Sequence, residues 1–214
     1  MICSLKCFCD FLEAQTTQQQ NAIIKRYKKG TTQSSKGMMI YYSPALQLMR
    51  GRLCPNGTLA EKLKSLPAKC FIKSWTDKLN DARLESNTLV FKAFYSEFGN
   101  KKLKVFSSPR LQCLLSTDVA ISMRPDLYAE VDGVSMVWKL GLSKDSPNEQ
   151  TIRYILQMMN RALKHKGIDM PIERICYFDV RAGKIYTEKS ADGELVSRIA
   201  PKAAALAKAW EAVA

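Results

Sequence analysis

Histidine is almost absent from this sequence, and long apolar runs are absent too. The single histidine, His165, lies in a basic run at the end of a predicted helix, which excludes sites built from two or three histidines. No segment approaches the roughly 18 to 20 apolar residues that a membrane-spanning helix needs. The first ten residues also lack the basic and apolar segments of a secretory signal. We therefore expect a cytoplasmic protein with no membrane partner.

Cysteine is present, but without the spacing of a disulfide framework. The seven cysteines are an odd number and include no CxxC pair. Reduced thiols are typical of the cytoplasm. The early cysteines Cys3, Cys7 and Cys9 could ligate a metal ion with a distant fourth group. Cysteine is also a common small apolar residue of protein interiors, and we favour that interpretation.

The positive charge is concentrated in the first half of the chain. The formal net charge is +13, and residues 1–110 contain 19 Lys and Arg against seven Asp and Glu, whereas residues 111–214 contain 14 against 13. Basic surfaces attract polyanions, because each neutralised phosphate releases counterions. This asymmetry favours a nucleic-acid partner. An acidic protein partner and a merely solubilising surface are the alternatives.

Apolar spacing and capping residues predict a basic, mostly helical N-terminal region over residues 1–100. Helices are predicted over residues 5–14, 18–29, 44–52 and 59–66, and between 72 and 98. Ser43-Pro44 is interpreted as a helix start, and Gly30 to Gly37 as a flexible polar loop. Thr58 and Glu61 have the spacing of a capping box.

The pattern after residue 100 is typical of an α/β core with a closing helix. Strands are predicted over residues 102–106, 111–115, 119–123, 127–131 and 134–142, with Asp132-Gly133 as a tight hairpin turn. A helix should follow from Ser146-Pro147, then strands over 172–180 and 184–187, and a helix over 201–213. The expected fold class is α/β (α+β), a mixed central sheet with flanking helices, in a core spanning residues 101–214.

A group of residues in this core resembles the PD-(D/E)xK nuclease superfamily, especially its RecB-like branch. The resemblance rests on Pro125-Asp126, the following hairpin, Lys139, and Gln150 with Tyr154, and it covers roughly residues 102–186. It implies a restriction-endonuclease-like core in the order α-β-β-β-α-β. It also implies that Asp126 binds Mg²⁺ and that Lys139 orients water or offsets charge during phosphodiester hydrolysis.

One position departs from the family pattern. Val137 stands two residues before Lys139, where the family has the second metal-binding acid, and residues 135–142 contain no acid. Glu149 could supply that acid from the following helix, as in some family members. Its alternative role is to favour the N-terminal dipole of that helix. Asp118 is a further candidate, whereas Glu130 and Asp132 are expected to face solvent.

Contacts with nucleic acid are expected at two places. Gln150 and Tyr154 match the QxxxY pattern of the RecB-like branch and would share one helix face. The second place is the basic first half, with Tyr27 as a stacking ring and its candidate phosphate contacts at Lys25, Arg26, Lys28, Lys29, Arg50 and Arg52. An iron–sulfur cluster, which some related nucleases carry, is excluded because Cys176 is the only cysteine in the last hundred residues.

Three functions follow from these patterns. The favoured one is a nuclease-like nucleic-acid-binding protein whose catalytic activity is weakened or absent. The second is an active Mg²⁺-dependent DNA or RNA nuclease that uses Asp126, Glu149 and Lys139. The third is a non-enzymatic module whose basic surface meets an acidic protein.

Overall fold

A computed structural model of the chain describes residues 1–30, 34–50, 58–116, 119–142 and 146–213. The expected mixture of helices and mixed β-sheets is confirmed. The helices are α1 (Leu5–Glu13), α2 (Thr17–Gly30), α3 (Ser34–Arg50), α4 (Leu59–Lys64), α5 (Leu66–Cys70), α6 (Asp77–Phe98), α7 (Glu149–His165) and α8 (Leu195–Ala212). The strands are β1 (Ile2–Ser4), β2 (Leu103–Phe106), β3 (Leu111–Leu114), β4 (Ala120–Met123), β5 (Leu127–Val131), β6 (Val134–Gly141), β7 (Ile175–Asp179) and β8 (Lys184–Tyr186).

The strands of the described residues form two sheets. The larger has the order β2-β5-β6-β7-β8, and the smaller has the order β1-β4-β3. Strands β6 and β7 are parallel and are connected through α7, while the other neighbours in the larger sheet are antiparallel. The predicted β5–β6 hairpin is confirmed: Asp132 and Gly133 have φ angles of 50° and 85°, as a two-residue hairpin turn requires.

Two apolar cores lie on opposite faces of the larger sheet. The front core joins one face of that sheet to the smaller sheet, α1, α7 and α8. The back core joins the other face to α3 and α6. Phe8 of α1 and Phe94 of α6 are fully buried in the front and back cores respectively. Residues 1–100 therefore wrap the sheet on both faces.

A single antiparallel ribbon runs through both sheets. Phe106 pairs with Tyr128 in the larger sheet and Leu111 pairs with Met123 in the smaller one, and four residues separate these pairs on each strand. The unchanged register places Pro109 opposite Pro125. Because proline has no N–H, no backbone hydrogen bond can form between these two positions. The ladder is interrupted there, and one ribbon contributes to two sheets.

Helix α3 contains Pro44 in its interior, so the prediction that a helix begins at Ser43-Pro44 is wrong. Proline at this position disrupts the hydrogen-bonding pattern of the preceding turn. The Ala45 amide donates to Asn87 Oδ1 at 3.0 Å, and Asn87 Nδ2 donates to the Tyr41 carbonyl at 2.8 Å. In a regular helix these two backbone groups would pair with each other. The buried Asn87 carboxamide of α6 bridges them instead.

Several other boundaries differ from the expected ones. Helix α2 extends to Gly30 and α3 begins at Ser34, so much of the predicted 30–37 loop is helical; residues 31–33 lie outside the described part. Helix α7 begins after the cap Asn148 rather than at Ser146, and α8 begins at Leu195 rather than Pro201. Residues 172–174 form a 3-10 turn before β7. The capping box of Thr58 and Glu61 is confirmed.

Strand β1 was not anticipated from the sequence. It pairs in parallel with β4, with Cys3 opposite Ile121. Three residues carry too little periodicity to indicate a strand, and the pairing depends on a partner more than a hundred residues away. In the described part of the chain, no helix is both long and apolar enough to cross a membrane.

Candidate functional site

Asp126 and Lys139 form the centre of the candidate site. The Lys139 ammonium lies 2.6 Å from Asp126 Oδ2, and the same oxygen accepts a hydrogen bond from the Leu140 amide at 3.0 Å. The Asp126 amide donates to the Trp138 carbonyl at 2.9 Å. Asp126 directly follows Pro125, so the ribbon break lets its carboxylate turn toward β6. The two side chains therefore lie on the same face of the β5–β6 hairpin.

Among the described residues of the first half, Arg50 of α3 reaches this centre. Its Nε donates to the Asp126 carbonyl at 2.9 Å, and its Nη2 lies 4.0 Å from Asp126 Oδ1. The Arg50 side chain remains 41% exposed. The one carboxylate of Asp126 thus faces two cations, and part of the arginine is open to an incoming anion.

Val137 stands two residues before Lys139 on β6. It is fully buried in the front core and is flanked in the sheet by Tyr128 and Ile175. Val137 and Lys139 are two residues apart on β6 and therefore point to the same face. Valine here supplies packing rather than a ligand.

Glu13 is an acid near the centre that the sequence patterns did not single out. Its Oε1 accepts a hydrogen bond from the Asn148 amide at 2.8 Å, which ties the end of α1 to the start of α7. Tyr177, the neighbour of Lys139 on β7, has a raised pKa, first because it is buried and then because of the charges of Asp179, Cys9, Asp126 and Glu13. The charges of Glu13, at the end of α1, and of Asp126, just before β5, thus both act on this tyrosine. No local signal reveals this, because the meeting depends on tertiary packing.

Glu149 is engaged elsewhere. Its Oε1 lies 3.1 Å from the Lys184 ammonium, and its side chain is 78% exposed. The hydrogen bond to Glu149, followed by one to Tyr186, raises the pKa of Lys184. Lys184 belongs to β8, two strands from the β6 strand that carries Lys139, a separation of about 10 Å between strand axes. Asp126 and Glu149 are thus held by different lysines on different strands.

In the described part of the chain, Asp126 is paired with cations rather than with further metal-binding groups. Among the described residues, no three acidic, histidine or cysteine side chains are grouped so that they could hold a metal ion. Magnesium in proteins takes several oxygen ligands at near-octahedral geometry, and here Asp126 is paired with Lys139 and Arg50. We therefore derive no catalytic step through a metal ion.

The early cysteines lie in the front core. Cys3, Cys7 and Cys9 are buried free thiols, and the Cys3 thiol donates to the Ser4 carbonyl at 3.4 Å. Burial, with smaller contributions from Asp10 and Glu13, raises the pKa of Cys9 to about 12. The surroundings of these three cysteines fit the interpretation of cysteine as a small apolar residue of the interior.

The two residues of the QxxxY pattern have different surroundings. Gln150 is exposed and lines a surface cleft of about 330 Å³ between α7 and β8, together with Arg153 and Lys184. Tyr154 is only 9% exposed and packs into the front core, where the Lys202 ammonium of α8 lies 5.4 Å from its ring centroid. Tyr154 is therefore enclosed, while Gln150 remains open to solvent.

The basic end of α2 is partly occupied by contacts within the chain. Arg26 lies 2.7 Å from Asp10 Oδ2, and the Tyr27 hydroxyl donates to the same oxygen at 2.9 Å. Lys28 donates to the Val213 carbonyl just after α8, where the helix dipole favours a cation. Lys25 and Lys29 are exposed.

The remaining candidates are dispersed or lie outside the described part. Arg52 and Asp118 fall outside the described residues. Asp132 is exposed and accepts a hydrogen bond from the Lys102 amide, whereas Glu130 is half-buried opposite Lys104. Comparisons of the chain with protein-family models, curated proteins and solved structures found no match.

Proposed function

We propose that this protein is a nuclease-like nucleic-acid-binding module whose catalytic activity is weakened or absent. The observation that carries the proposal is the meeting of Asp126, Lys139 and Arg50 at the ribbon break. A phosphate oxygen can take the place of the Asp126 carboxylate beside these two cations, because charge-assisted hydrogen bonds to phosphate are strong.

The order of elements supports the proposed kinship. Helix α6, strands β2, β5 and β6, helix α7 and strand β7 follow the α-β-β-β-α-β order that the resemblance implies, with the β3–β4 pair inserted after the first strand. Asp126 precedes the second strand of that core, and Lys139 lies on the third. These are the positions that the motif would give them.

The surroundings of the centre favour binding over hydrolysis. Hydrolysis of a phosphodiester by this family's chemistry needs carboxylates that converge on a metal ion. The second acid is replaced by buried Val137, and Glu149 pairs with Lys184. Two cations around one acid attract phosphate without activating water.

An active metal-dependent nuclease is the second candidate, and one observation favours it. The charges of Asp126 and Glu13 both act on Tyr177, the neighbour of Lys139 on β7. This candidate requires Glu13 to leave the Asn148 amide and Asp126 to turn from its cations. It would use Glu13 in place of the expected Glu149.

We also place the protein in the cytoplasm. The cysteines of the described part, Cys3, Cys7, Cys9, Cys70, Cys113 and Cys176, are all free thiols. Reduced thiols fit a reducing compartment.

A binding and cleavage assay tests the proposed function. The purified chain is mixed with labelled single- and double-stranded DNA and RNA, with Mg²⁺ or Mn²⁺, across a salt series. We expect binding that weakens steeply as salt increases, because cationic side chains neutralise phosphates. We expect the substrates to remain intact. Lys139→Ala and Arg50→Ala should weaken binding, whereas Lys92→Ala, an exposed control on α6, should not.

Two outcomes would overturn this conclusion. Cleavage that is lost in both Asp126→Ala and Lys139→Ala would establish the active nuclease instead. Absence of binding to every nucleic acid, or binding that does not change with salt, would favour the third function, in which the basic surface meets an acidic protein.

A further inference from the structure

The α5–α6 turn, residues 71–76, carries an aromatic ring into solvent. Phe71, the first residue of this turn, is 61% exposed, although Cys70 beside it is buried. Single exposed apolar residues are common on protein surfaces, so exposure alone indicates no role. Phe71 differs from such residues because the backbone on both sides of it is held in place.

Two buried polar side chains of α6 fix the peptide groups that flank Phe71. Arg83 Nη1 donates to the Cys70 carbonyl at 2.7 Å. Asn80 Oδ1 accepts from the Ile72 amide at 2.9 Å, and Asn80 Nδ2 donates to the Ile72 carbonyl at 3.2 Å. Because the residues before and after Phe71 are both anchored, its exposure is set by the native backbone.

Trp75 fixes the other end of the turn. Its carbonyl accepts from Asn80 Nδ2 at 3.4 Å, and its ring centroid lies 5.6 Å from the Arg83 guanidinium carbon. The Trp75 ring also lies 6.3 Å from the Tyr41 ring of α3, measured between centroids. A turn that is already ordered loses little conformational entropy when a partner binds to it.

Positive charge flanks Phe71. Residues 62–78 contain five lysines and a single acid. Lys69 and Lys73 lie two residues before and after Phe71, and both are exposed. Among the described residues, no acid forms an ion pair with either lysine. The turn therefore offers an exposed ring between two cations that no described acid neutralises.

We propose that the α5–α6 turn docks an acidic protein segment, which packs apolar side chains on Phe71 and places carboxylates beside Lys69 and Lys73. Aromatic side chains are enriched at the centres of such contacts. Asp77 and Asp81 are exposed at the start of α6. An anionic bilayer or a phosphate backbone carries negative charge throughout and would be repelled by these two acids, whereas a peptide can place its carboxylates beside the lysines alone. This inference goes beyond the proposed function, because it assigns a second partner at a different place.

Selection of a phage-displayed library of random peptides on the immobilised protein tests this proposal. We expect the enriched peptides to contain Asp or Glu next to Leu, Phe or Trp. In fluorescence anisotropy, Phe71→Ser should weaken binding of such a peptide by about tenfold or more. Leu89→Ser is the matched control, because Leu89 is an exposed apolar residue of α6 outside the turn, and it should leave binding unchanged. Enriched peptides without acids, or the absence of any peptide whose binding depends on Phe71, would overturn the inference.

The lysines give a second readout. Lys69→Gln and Lys73→Gln should slow association of the selected peptide and reduce the dependence of that rate on salt. Lys92→Gln, at an exposed position of α6, should change neither quantity. Association rates that are unchanged in both turn variants would show that the partner is not bound through its acids, and would overturn the inference.

Folding and other ligands are measured with the same Phe71→Ser variant. Its melting temperature should equal that of the unaltered protein, because an exposed side chain is replaced. Oligonucleotide binding should also be unchanged, and neither protein should sediment with vesicles of phosphatidylcholine and phosphatidylserine. Oligonucleotide or vesicle binding that is lost in Phe71→Ser would assign the turn to nucleic acid or to a membrane, and would overturn this inference. Absence of oligonucleotide binding by the unaltered protein would instead overturn the proposed function and leave the peptide result standing.

Discussion

The Lys139 ammonium lies 2.6 Å from Asp126 Oδ2 although Lys139 is on β6 and Asp126 just precedes β5, and the two side chains are only 27% and 18% exposed. A half-buried pair of this kind is expected to contribute about 1 kcal/mol of coupling to stability. A double-mutant cycle with Lys139→Met and Asp126→Asn, followed by urea unfolding, measures that coupling. Lys184 and Glu149, whose side chains are 56% and 78% exposed, provide the comparison and should show a smaller value. Equal coupling for the two pairs would contradict the special placement of Asp126.

Replacing Val137 with Asp tests whether the site retains the shape of a metal centre. A buried carboxylate without a partner should lower the free energy of unfolding by about 3 to 5 kcal/mol. If the face carrying Lys139 has the expected geometry, Mg²⁺ or Mn²⁺ should raise the melting temperature of Val137→Asp by binding the folded state. Val137→Asn, whose side chain is uncharged, is the control, and Mg²⁺ or Mn²⁺ should not change its melting temperature. If the metal ions change the melting temperatures of the two variants equally, the result would argue against the proposed relationship to PD-(D/E)xK nucleases.

Replacing Asn87 should lower the free energy of unfolding most when Pro44 is present. Asn87→Ala removes the carboxamide that serves the Ala45 amide and the Tyr41 carbonyl, and should cost about 2 to 3 kcal/mol. With Pro44→Ala in the same chain, the helix hydrogen bond between these two groups can form, so the cost should fall by about half. Equilibrium unfolding of the four proteins measures both values. If the losses in free energy of unfolding from the two substitutions simply add, Asn87 does not compensate for the proline.

The Cys176 thiol should make stability depend on pH in the alkaline range. Burial raises its pKa from 9.0 to about 12. As pH rises, the unfolded chain therefore loses this proton first, so the contribution is constant below pH 9 and stability falls between pH 9 and 12.

Other groups also titrate in this range, so Cys176→Ala is compared with the unaltered protein. Near pH 10.5 its free energy of unfolding should decline less steeply, by about 1.4 kcal/mol per pH unit. If the free energy of unfolding falls equally steeply with pH in both proteins, the result would contradict the burial of this thiol in the back core.

The position of the Tyr177 side chain leaves no room for a side chain at Gly141. A Cβ at Gly141 would lie 2.5 Å from the Tyr177 hydroxyl and 2.9 Å from Cζ. Gly141→Ala should therefore cost about 1 to 3 kcal/mol, and Tyr177→Phe should recover part of that loss. Gly193→Ala is the control, since no atom lies within 4 Å of its added Cβ. Thermal unfolding compares the variants, and an equal effect at the two glycines would refute the close contact.

Short-range interactions made much of this fold predictable. The capping box of Thr58 and Glu61 spans three residues, and the turn at Asp132-Gly133 requires positive φ at two adjacent positions. Alternating burial along β3 and β5 likewise appears directly in the residue order. The pairing of Asp126 with Lys139 was also predictable, because a tight hairpin brings neighbouring strands into a defined register.

The sequence by itself determined most of the local elements, the basic bias of residues 1–110 and the position of Val137 two residues before Lys139. The tertiary structure decided which distant groups meet. Asn87 compensates for Pro44 across 43 positions of the sequence, Glu13 bonds the amide of Asn148, and Lys184 holds Glu149. The residues next to each of these positions in the sequence do not indicate such partners. The partners come together only when the sheet and its covering helices pack.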